Sequence, residues 1–224
     1  MRILIISATV AEVFFLSDRQ TIFSTTGSIT SILNEKHSID VLIAGIGSAH
    51  TAFHLGKQLE QKKYDFVLNI GLAGAIDKSL ELGSVVQIEK DSFFDLGAQD
   101  KDDFLTVYDL GLAQKNDFPY REGKLIAMHN YQEILSCFPL VESITVNTVH
   151  GDSHAIAAMQ KRTFAATESM EGAAVYYACL FNNVNCVQIR SISNYVEQRD
   201  KSKWNIPLAL HQLENAVRYL IGNL

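Results

Sequence analysis

Residues 66–74 read FVLNIGLAG, a nearly continuous apolar run that ends in a glycine-rich turn. A short run of this kind, bounded by glycine, predicts a strand over residues 66–70 that is buried on both faces. Comparable runs predict further strands over residues 3–6, 41–44, 85–88, 144–149 and 187–192. Strands of this type need covering layers on both sides of their sheet.

Stretches with helical periodicity separate these runs. They predict helices over residues 49–62, 153–161, 170–181 and 208–221. The last is the clearest, because apolar side chains recur at steps of three and four from Leu210 to Ile221. This alternation predicts an α/β sheet covered by helices. We expect one domain over residues 1–224, with residues 91–123 forming a lid or an excursion.

The composition excludes several classes of protein. The chain is 47% hydrophobic and 20% charged, as globular proteins are, and its net charge of −6 with no basic stripe argues against nucleic acid as a partner. No apolar stretch approaches the roughly 18 residues that span a membrane, and we find no targeting signal. The three cysteines lack metal-binding spacing, which favours free thiols in a reducing compartment, so we expect a cytoplasmic protein.

The first predicted strand is followed by Thr9 and, three residues later, Glu12. This spacing is that of a capping box, in which the two side chains satisfy backbone groups at the start of a helix. Turns at the carboxyl ends of strands are also where α/β proteins bind ligands. From the residues alone capping is the commoner role, and a catalytic role for Glu12 stays open.

Two glycine-rich turns, Gly45-Ile-Gly47 and Gly71-Leu-Ala-Gly74, follow predicted strands. The first is a weak match to a dinucleotide-binding loop, because His50 stands where the third glycine belongs. Asp65 also begins the next strand, whereas a ribose contact would need an acid at its end. Both turns nevertheless allow backbone N–H groups to approach a ligand closely.

Polar residues near the later strand ends have structural as well as functional interpretations. His150 and His154 do not fit a zinc pair, because the glycine between them favours a strand end over a helix, and we expect no metal. Glu171 complements the dipole of the helix that it begins. Arg190 lies in a buried strand and needs a carboxylate partner, whereas Asn194 is a common kind of turn residue.

Taken in order, these segments resemble the purine nucleoside phosphorylases and nucleosidases over nearly the whole chain. The motifs similar to methylthioadenosine/adenosylhomocysteine nucleosidases are Ile6-Ser-Ala-x-x-x-Glu12-Val13, Asn69-x-Gly-x-Ala-Gly74, Leu82-Gly-Ser-Val-Val86, Met170-Glu171 and Arg190-x-Ile-Ser193. The longer strings DLGA at 95–98, ESMEGAA at 168–174 and RSISNYVE at 190–197 look more like the futalosine hydrolases. The resemblance implies a three-layer α/β/α sandwich with a central mixed sheet.

The resemblance also implies roles for individual residues, without a cofactor. Glu12 would activate water, Glu171 would hold the ribose hydroxyls, and Met170 would pack against the ribose. His154 matches the position of a base-stacking Phe. The other substrate contacts that it implies are Leu72, which replaces a small hydroxyl residue, Ala73, Gly74 and Trp204.

Asn194 departs from the adenine-specific enzymes, which carry an acid at this position to protonate the base. A 6-oxopurine presents acceptors at its carbonyl and neighbouring nitrogen, so an amide can donate to that edge and an ionised carboxylate cannot. The expected reaction is therefore hydrolysis of futalosine to hypoxanthine and dehypoxanthine futalosine, in menaquinone biosynthesis. A methylthioadenosine/adenosylhomocysteine nucleosidase and a non-catalytic nucleoside-binding protein are the alternatives.

Three further expectations follow from the resemblance. Hydrolysis is favoured over phosphorolysis, because Glu12 stands where its charge would repel phosphate. The carboxyphenyl tail of futalosine needs aromatic surface and a cation, for which Arg199 or Lys203 is a candidate, with Phe104 or Tyr108 closing the pocket. The family implies a homo-oligomer, a dimer or higher, that binds a small nucleoside.

Overall fold

The computed structural model describes residues 1–17, 23, 25–32 and 34–224. Its strands are β1 (Arg2–Ser7), β2 (Ile29–Ile32), β3 (Ser38–Ile43), β4 (Phe66–Ala75), β5 (Val85–Asp91), β6 (Gly97–Asp100), β7 (Asp103–Thr106), β8 (Leu125–Ile126), β9 (Leu140–Thr145), β10 (Thr167–Ser169) and β11 (Asn185–Tyr195). Its α-helices are α1 (Ser48–Gln61), α2 (Gln132–Leu135), α3 (Ser153–Gln160), α4 (Gly172–Phe181) and α5 (Ile206–Asn223).

The main sheet is mixed, with the order β10-β9-β5-β11-β4-β1-β3-β2 and β8 beside β5. Its centre is parallel, because β1 pairs with β3 and β4, and β4 pairs with β11. The pairs β5–β11 and β2–β3 are antiparallel. The carboxyl ends of β1, β3, β4 and β11 therefore meet at one edge of the sheet.

Alternate residues of the central strands face opposite layers of helix, as the two-residue period of a strand requires. In β1, Leu4 and Ile6 pack in the same core as residues of α1 and α4, whereas Ile3 and Ile5 pack in the core that contains α5. The two layers of helix and the sheet between them confirm the three-layer α/β/α sandwich. The periodic helix near the C-terminus is also confirmed, since Leu213, Val217 and Leu220 of α5 are buried.

Most predicted elements are present with small shifts at their ends, but two boundaries were wrong. The strand predicted over 144–149 is β9, which ends at Thr145; Asn147 has already left the sheet and is hydrogen-bonded to Asp95 through its backbone and side chain. The sequence pattern does not predict the first half of β9, because its residues are exposed or half-buried and form no apolar run. The helix predicted from residue 170 begins at Gly172: residues 167–169 form the strand β10, and Glu171, with φ at −129°, is the N-cap residue of the helix.

Of the predicted excursion over residues 91–123, Asp91 still belongs to β5, and the rest leaves the main sheet and includes a separate hairpin, β6–β7. A role as a lid stays a prediction, as does the single domain over residues 1–224. Among the described residues, no helix is both long and apolar enough to cross a membrane.

Candidate active site

Glu12 lies just after β1, in a one-turn 3₁₀ helix, and its carboxylate is buried. One oxygen, Oε2, accepts hydrogen bonds from the Thr9 backbone N–H at 2.9 Å and from the Thr9 hydroxyl at 3.0 Å. The other, Oε1, accepts from the Leu72 N–H at 3.1 Å, at the end of the neighbouring strand β4. The predicted capping box is present, and the same carboxylate also reaches the glycine turn of the predicted site.

Burial raises the pKa of Glu12 above its usual value of 4.5. The positive charge of Arg190 opposes this increase, and the negative charge of Glu171 adds to it. A raised pKa brings a carboxylate nearer to the range in which it can take a proton from water at neutral pH.

Glu171 lies between β10 and α4 and is also buried. Its Oε1 accepts a hydrogen bond from the Gly47 N–H at 3.0 Å, and its Oε2 is 3.8 Å from Arg190 Nη1. Gly47 has a φ of 91°, a backbone conformation that residues other than glycine rarely adopt. The first glycine turn therefore positions a carboxylate of the predicted site.

Arg190 of β11 forms an ion pair with Glu171 and lies close to Glu12. The guanidinium packs over Gly71, where a Cβ atom would overlap Arg190 Nη1 and lie 2.9 Å from Glu12 Oε1. The carboxylate partner predicted for Arg190 is Glu171. Arg190 Nη2 is buried and has no hydrogen-bond partner among the described residues. A buried cation beside two carboxylates, with a free N–H, is suited to hold water or a hydroxyl group.

A buried polar chain orients Arg190 from below. Arg190 Nε donates to Gln188 Oε1 at 2.8 Å, and Gln188 Nε2 donates to Asp91 Oδ2 at 3.0 Å. Asp91 also accepts from the Thr145 hydroxyl at 2.9 Å, and burial raises its pKa to about 6. A Cβ on Gly172 would collide with Asp91 and Gln188, so the small residues that begin α4 accommodate these side chains.

Asn194 lies near the end of β11, after a bulge that follows Ile192. Its Oδ1 accepts from the Ser193 hydroxyl at 2.8 Å, and its Nδ2 donates to the Tyr195 carbonyl at 3.0 Å. Nδ2 also faces Gly74: a Cβ atom added at Gly74 would lie 3.2 Å from it. An amide nitrogen carries two hydrogens, so one N–H of Asn194 is available to a ligand.

Asn194 lines a cleft beside the carboxylate cluster, and sequence reasoning missed part of this cleft. Its walls include Gly74, His150, Glu168, Asn194, Arg199 and Trp204. The sequence suggests only a metal-binding role for His150, and it assigns Glu168 to the segment that opens a helix. Glu168 accepts hydrogen bonds from the backbone N–H and from Nδ1 of His150, which places a buried acid and an imidazole in this wall.

Of the remaining predicted site residues, Trp204 lines this cleft, and Met170, Ala73 and His154 are not among the residues that line it. Trp204 lies in its wall, 5.1 Å beneath the Arg199 guanidinium. Met170 is half-buried, and its carbonyl accepts from the Ser48 hydroxyl at 3.3 Å. Ala73 is buried and its carbonyl accepts from the Ser193 hydroxyl at 3.3 Å. His154 is exposed on the first turn of α3 and is not in the wall of the cleft, so its base-stacking role stays a prediction.

The carboxylate cluster and the cleft lie next to each other along β4 and β11. Arg190 pairs with Gly71 and Asn194 pairs with Gly74 in the parallel register of these strands. Glu12 contacts Leu72, two residues before Gly74, and two residues of strand correspond to roughly 7 Å. The described residues contain no group of three His, Cys, Asp or Glu side chains arranged to hold a metal ion.

This fold and this arrangement at the strand ends are those of a known class. The chain belongs to the phosphorylase superfamily, whose family model matches residues 2–222. Within it, the chain is 35% identical over 190 residues to the futalosine hydrolase of Acidothermus cellulolyticus, across 82% of this chain and 76% of that one. It is 32% identical over 184 residues to the futalosine hydrolase of Streptomyces coelicolor, across 80% and 76% of the two chains. These similarities place it in the futalosine hydrolase family.

Solved structures share the fold over the whole chain. The native structure of futalosine hydrolase of Helicobacter pylori has a TM-score of 0.80 at 16% identity, covering 100% of this chain and 98% of that one. The 5'-methylthioadenosine/S-adenosylhomocysteine nucleosidase from Neisseria meningitidis, in complex with methylthio-immucillin-A, has a TM-score of 0.83 at 17% identity, covering 100% and 99%.

Proposed function

We propose that this protein hydrolyses the N-glycosidic bond of futalosine and releases hypoxanthine and dehypoxanthine futalosine, a step of menaquinone biosynthesis. The observation that carries the proposal is the buried cluster of Glu12, Glu171 and Arg190, which lies beside a cleft that presents the neutral amide of Asn194. Its relatives at 30–35% identity are futalosine hydrolases, which supports this substrate.

Cleavage of a glycosidic bond by water passes through a transition state with positive charge on the sugar. Glu12 takes a proton from the attacking water, for which its raised pKa suits it. Glu171 binds the ribose hydroxyls, and its negative charge favours the developing positive charge. Arg190 orients Glu171 and donates its free N–H to the water or a hydroxyl group.

The free N–H of Asn194 donates to the acceptor edge of hypoxanthine. Adenine presents an amino donor at the equivalent position. The N–H of Asn194 is also a donor, so the two cannot form a hydrogen bond. Relatives at 25% identity are 5'-methylthioadenosine/S-adenosylhomocysteine nucleosidases, so adenine release is the alternative to test.

We assign the carboxyphenyl tail to Trp204 and Arg199, which line the cleft that contains Asn194. Arg199 has no ion-pair partner within the part of the chain that the structure describes, whereas Lys203 is paired with Glu197 at 3.0 Å. Of the two candidate cations, Arg199 is therefore favoured for the carboxylate of the tail. Phe104 packs beneath the Arg162 guanidinium, 4.0 Å away, so its closing of the pocket requires movement of the hairpin or a second subunit.

The proposal includes a homo-oligomer in the cytoplasm. Three aromatic side chains form an exposed face on and beside α4: Phe118, Tyr177 and Phe181, with ring centroids 5.0 Å and 4.7 Å from that of Phe181. An exposed apolar patch of this kind is typical of an interface, and a second copy of the chain is the occupant that we propose. The free thiols Cys137, Cys179 and Cys186 fit a reducing compartment.

The decisive experiment is purine release from futalosine, inosine and methylthioadenosine, measured with and without added phosphate. We expect hypoxanthine from futalosine at a rate that phosphate does not change, and at most slow adenine release. Faster adenine release from methylthioadenosine would favour the alternative nucleosidase. Intact nucleosides after long incubation would favour a binding protein.

A further inference from the structure

The cleft contains a second ionisable pair that the mechanism above does not use. Glu168 is buried in β10, with 3% of its side chain exposed, and His150 has 15% exposed. Glu168 Oε1 accepts from the His150 backbone N–H at 3.0 Å, and Glu168 Oε2 bonds to His150 Nδ1. These two contacts hold the loop after β9 and the imidazole ring in one orientation.

The strand pairing of β10 brings this pair to Asn194. β10 is parallel to β9 and antiparallel to β4, and Glu168 stands opposite Gly74 in the second pairing. Gly74 in turn lies beneath the side-chain amide of Asn194. His150 and Asn194 therefore line the same cleft.

A carboxylate on Nδ1 keeps a hydrogen on that nitrogen and leaves Nε2 to exchange a proton. His150 Nε2 has no hydrogen-bond partner among the described residues, and the Phe94 ring lies edge-on at 5.9 Å between centroids. The other titratable or charged groups that face the cleft are Tyr195, Glu197 and Arg199, after Glu168 itself. Glu197 is engaged by Lys78 and Lys203, so Glu168 is the acid that is bonded to the ring.

We infer that His150, oriented by Glu168, donates the proton that the departing purine needs, which is a role that the neutral Asn194 cannot fill. This inference rests on the proposed function. The bond between the anomeric carbon and purine N9 breaks, and its electron pair passes to the purine. His150 Nε2 gives its proton to the imidazole ring of the purine, at N7. The water oxygen bonds to the anomeric carbon and its proton passes to Glu12; solvent then reprotonates His150 and deprotonates Glu12.

The division of labour between the two residues follows from their chemistry. Asn194 donates a hydrogen bond and cannot give up a proton, so it recognises the oxopurine edge. Imidazolium can transfer its proton, and general acid catalysis of this kind contributes about 10²–10⁴-fold. Glu168 is a positioning residue, because it acts on the substrate through His150.

The test is the pH dependence of futalosine cleavage by wild type, His150→Asn and Glu168→Gln. We expect His150→Asn to lower kcat by about 10²–10⁴-fold with KM within about threefold. If His150 is the proton donor, wild type should lose activity at alkaline pH, and we expect His150→Asn to remove that alkaline limb of the pH profile. Glu168→Gln keeps an acceptor for His150 and should lower kcat less while changing the same limb of the profile. His211→Asn, on the exposed face of α5, is the matched control and should behave as wild type.

The outcomes separate the two proposals. If wild type releases purine and His150→Asn has an unchanged kcat and pH profile, the inference is wrong and the proposed function stands. If His150→Asn does not fold, the profile of Glu168→Gln decides, and an unchanged alkaline limb there would contradict the inference. If wild type releases no purine from any nucleoside, the proposed function is wrong and the inference is wrong with it.

Discussion

At Glu12, the two oxygens of one carboxylate face different groups. Oε2 accepts from Thr9 and completes the capping box, whereas Oε1 accepts from Leu72 at the end of β4. The structural and the functional interpretation of this residue are therefore compatible, since capping the 3₁₀ helix holds the carboxylate in the site. The same is true of Arg190, which has the carboxylate partner that a buried arginine needs and is central to the cluster.

We predict that Glu12→Gln lowers kcat for futalosine by about 10²–10⁴-fold, because an amide cannot take the proton from water. Thr9 and Leu72 both direct N–H donors at this side chain, so one of them faces the new amide NH₂ whichever way it turns. We therefore also expect a loss of about 1–3 kcal/mol in the free energy of unfolding.

Steady-state kinetics and urea unfolding measure these two effects. Glu60→Gln, exposed on α1, is the matched control and should change neither. Full activity in Glu12→Gln would leave Glu12 with its capping role alone.

At the scale of elements, the site depends on turns that bring strand ends close together. Gly71, Gly74 and Gly47 each lie where a side chain of the site contacts the backbone of a neighbouring strand or turn. The buried chain from Asp91 through Gln188 to Arg190 joins β5 to β11 beneath the cluster. These contacts tie the position of the guanidinium to the pairing of the strands.

We predict that Gly71→Ala impairs the reaction more than it impairs folding. The added methyl group would overlap Arg190 Nη1 and approach Glu12 Oε1 to 2.9 Å, so Arg190 must move. Overpacking of this kind costs about 1–3 kcal/mol, and displacement of Arg190 should lower kcat by at least tenfold. Gly56→Ala, in α1, where nothing outside the adjacent turns of the helix lies within 4 Å of the new methyl group, is the control and should stabilise the protein by about 0.5–1 kcal/mol. Normal kcat in Gly71→Ala would contradict the placement of Arg190.

We predict that the stability difference between wild type and Asp91→Asn depends on pH. Burial raises the pKa of Asp91 from 3.8 to about 6, so folded wild type binds this proton more tightly than the unfolded chain does. The protonated Asp91 therefore contributes to the free energy of unfolding of wild type at low pH. This contribution is lost as pH rises from about 4 to above 6, by up to about 3 kcal/mol at 1.36 kcal/mol per pKa unit. Asp91→Asn has no titratable group at this position. The amount by which its free energy of unfolding falls below that of wild type should therefore shrink as pH rises over that range.

Urea unfolding at pH 4.5, 5.5 and 7 measures this trend. Asp102→Asn, in the exposed turn of the β6–β7 hairpin, is the control, and its difference from wild type should not follow that trend. A pH-independent difference for Asp91→Asn would show that Asp91 is ionised throughout.

At the scale of the whole molecule, the exposed aromatic face beside α4 bears on the oligomeric state. We predict that Phe181→Glu lowers the mass of the particle in sedimentation to that of one chain, because Phe181 is 52% exposed at the centre of this face. Phe164→Glu, at an exposed position after α3, is the control and should leave the mass unchanged. A wild-type monomer would exclude the second copy as the occupant of this face.

Periodicity and composition predicted those elements whose buried residues form a continuous run or a regular repeat of apolar residues in the sequence. The central strands and α5 are of this kind, since both faces of a strand or one face of a helix are apolar. β10 gave no such signal, because its three residues, Thr167, Glu168 and Ser169, are polar and yet buried. Its pairing with two distant strands, and with it the His150–Glu168 contact, depends on residues far apart in the chain.

The amino-acid sequence by itself determined the layered α/β architecture, the family resemblance, and the identity of Glu12, Glu171 and Asn194 as candidates. Local patterns suffice for these, because side-chain alternation and motif spacing are properties of neighbouring residues. Only the tertiary structure decided which groups lie together: Arg190 pairs with Glu171 close to Glu12, and His150 lines the same cleft as Asn194. Such contacts arise where β4, β10 and β11 converge, and strand pairing across more than 90 residues leaves no periodic trace in the chain.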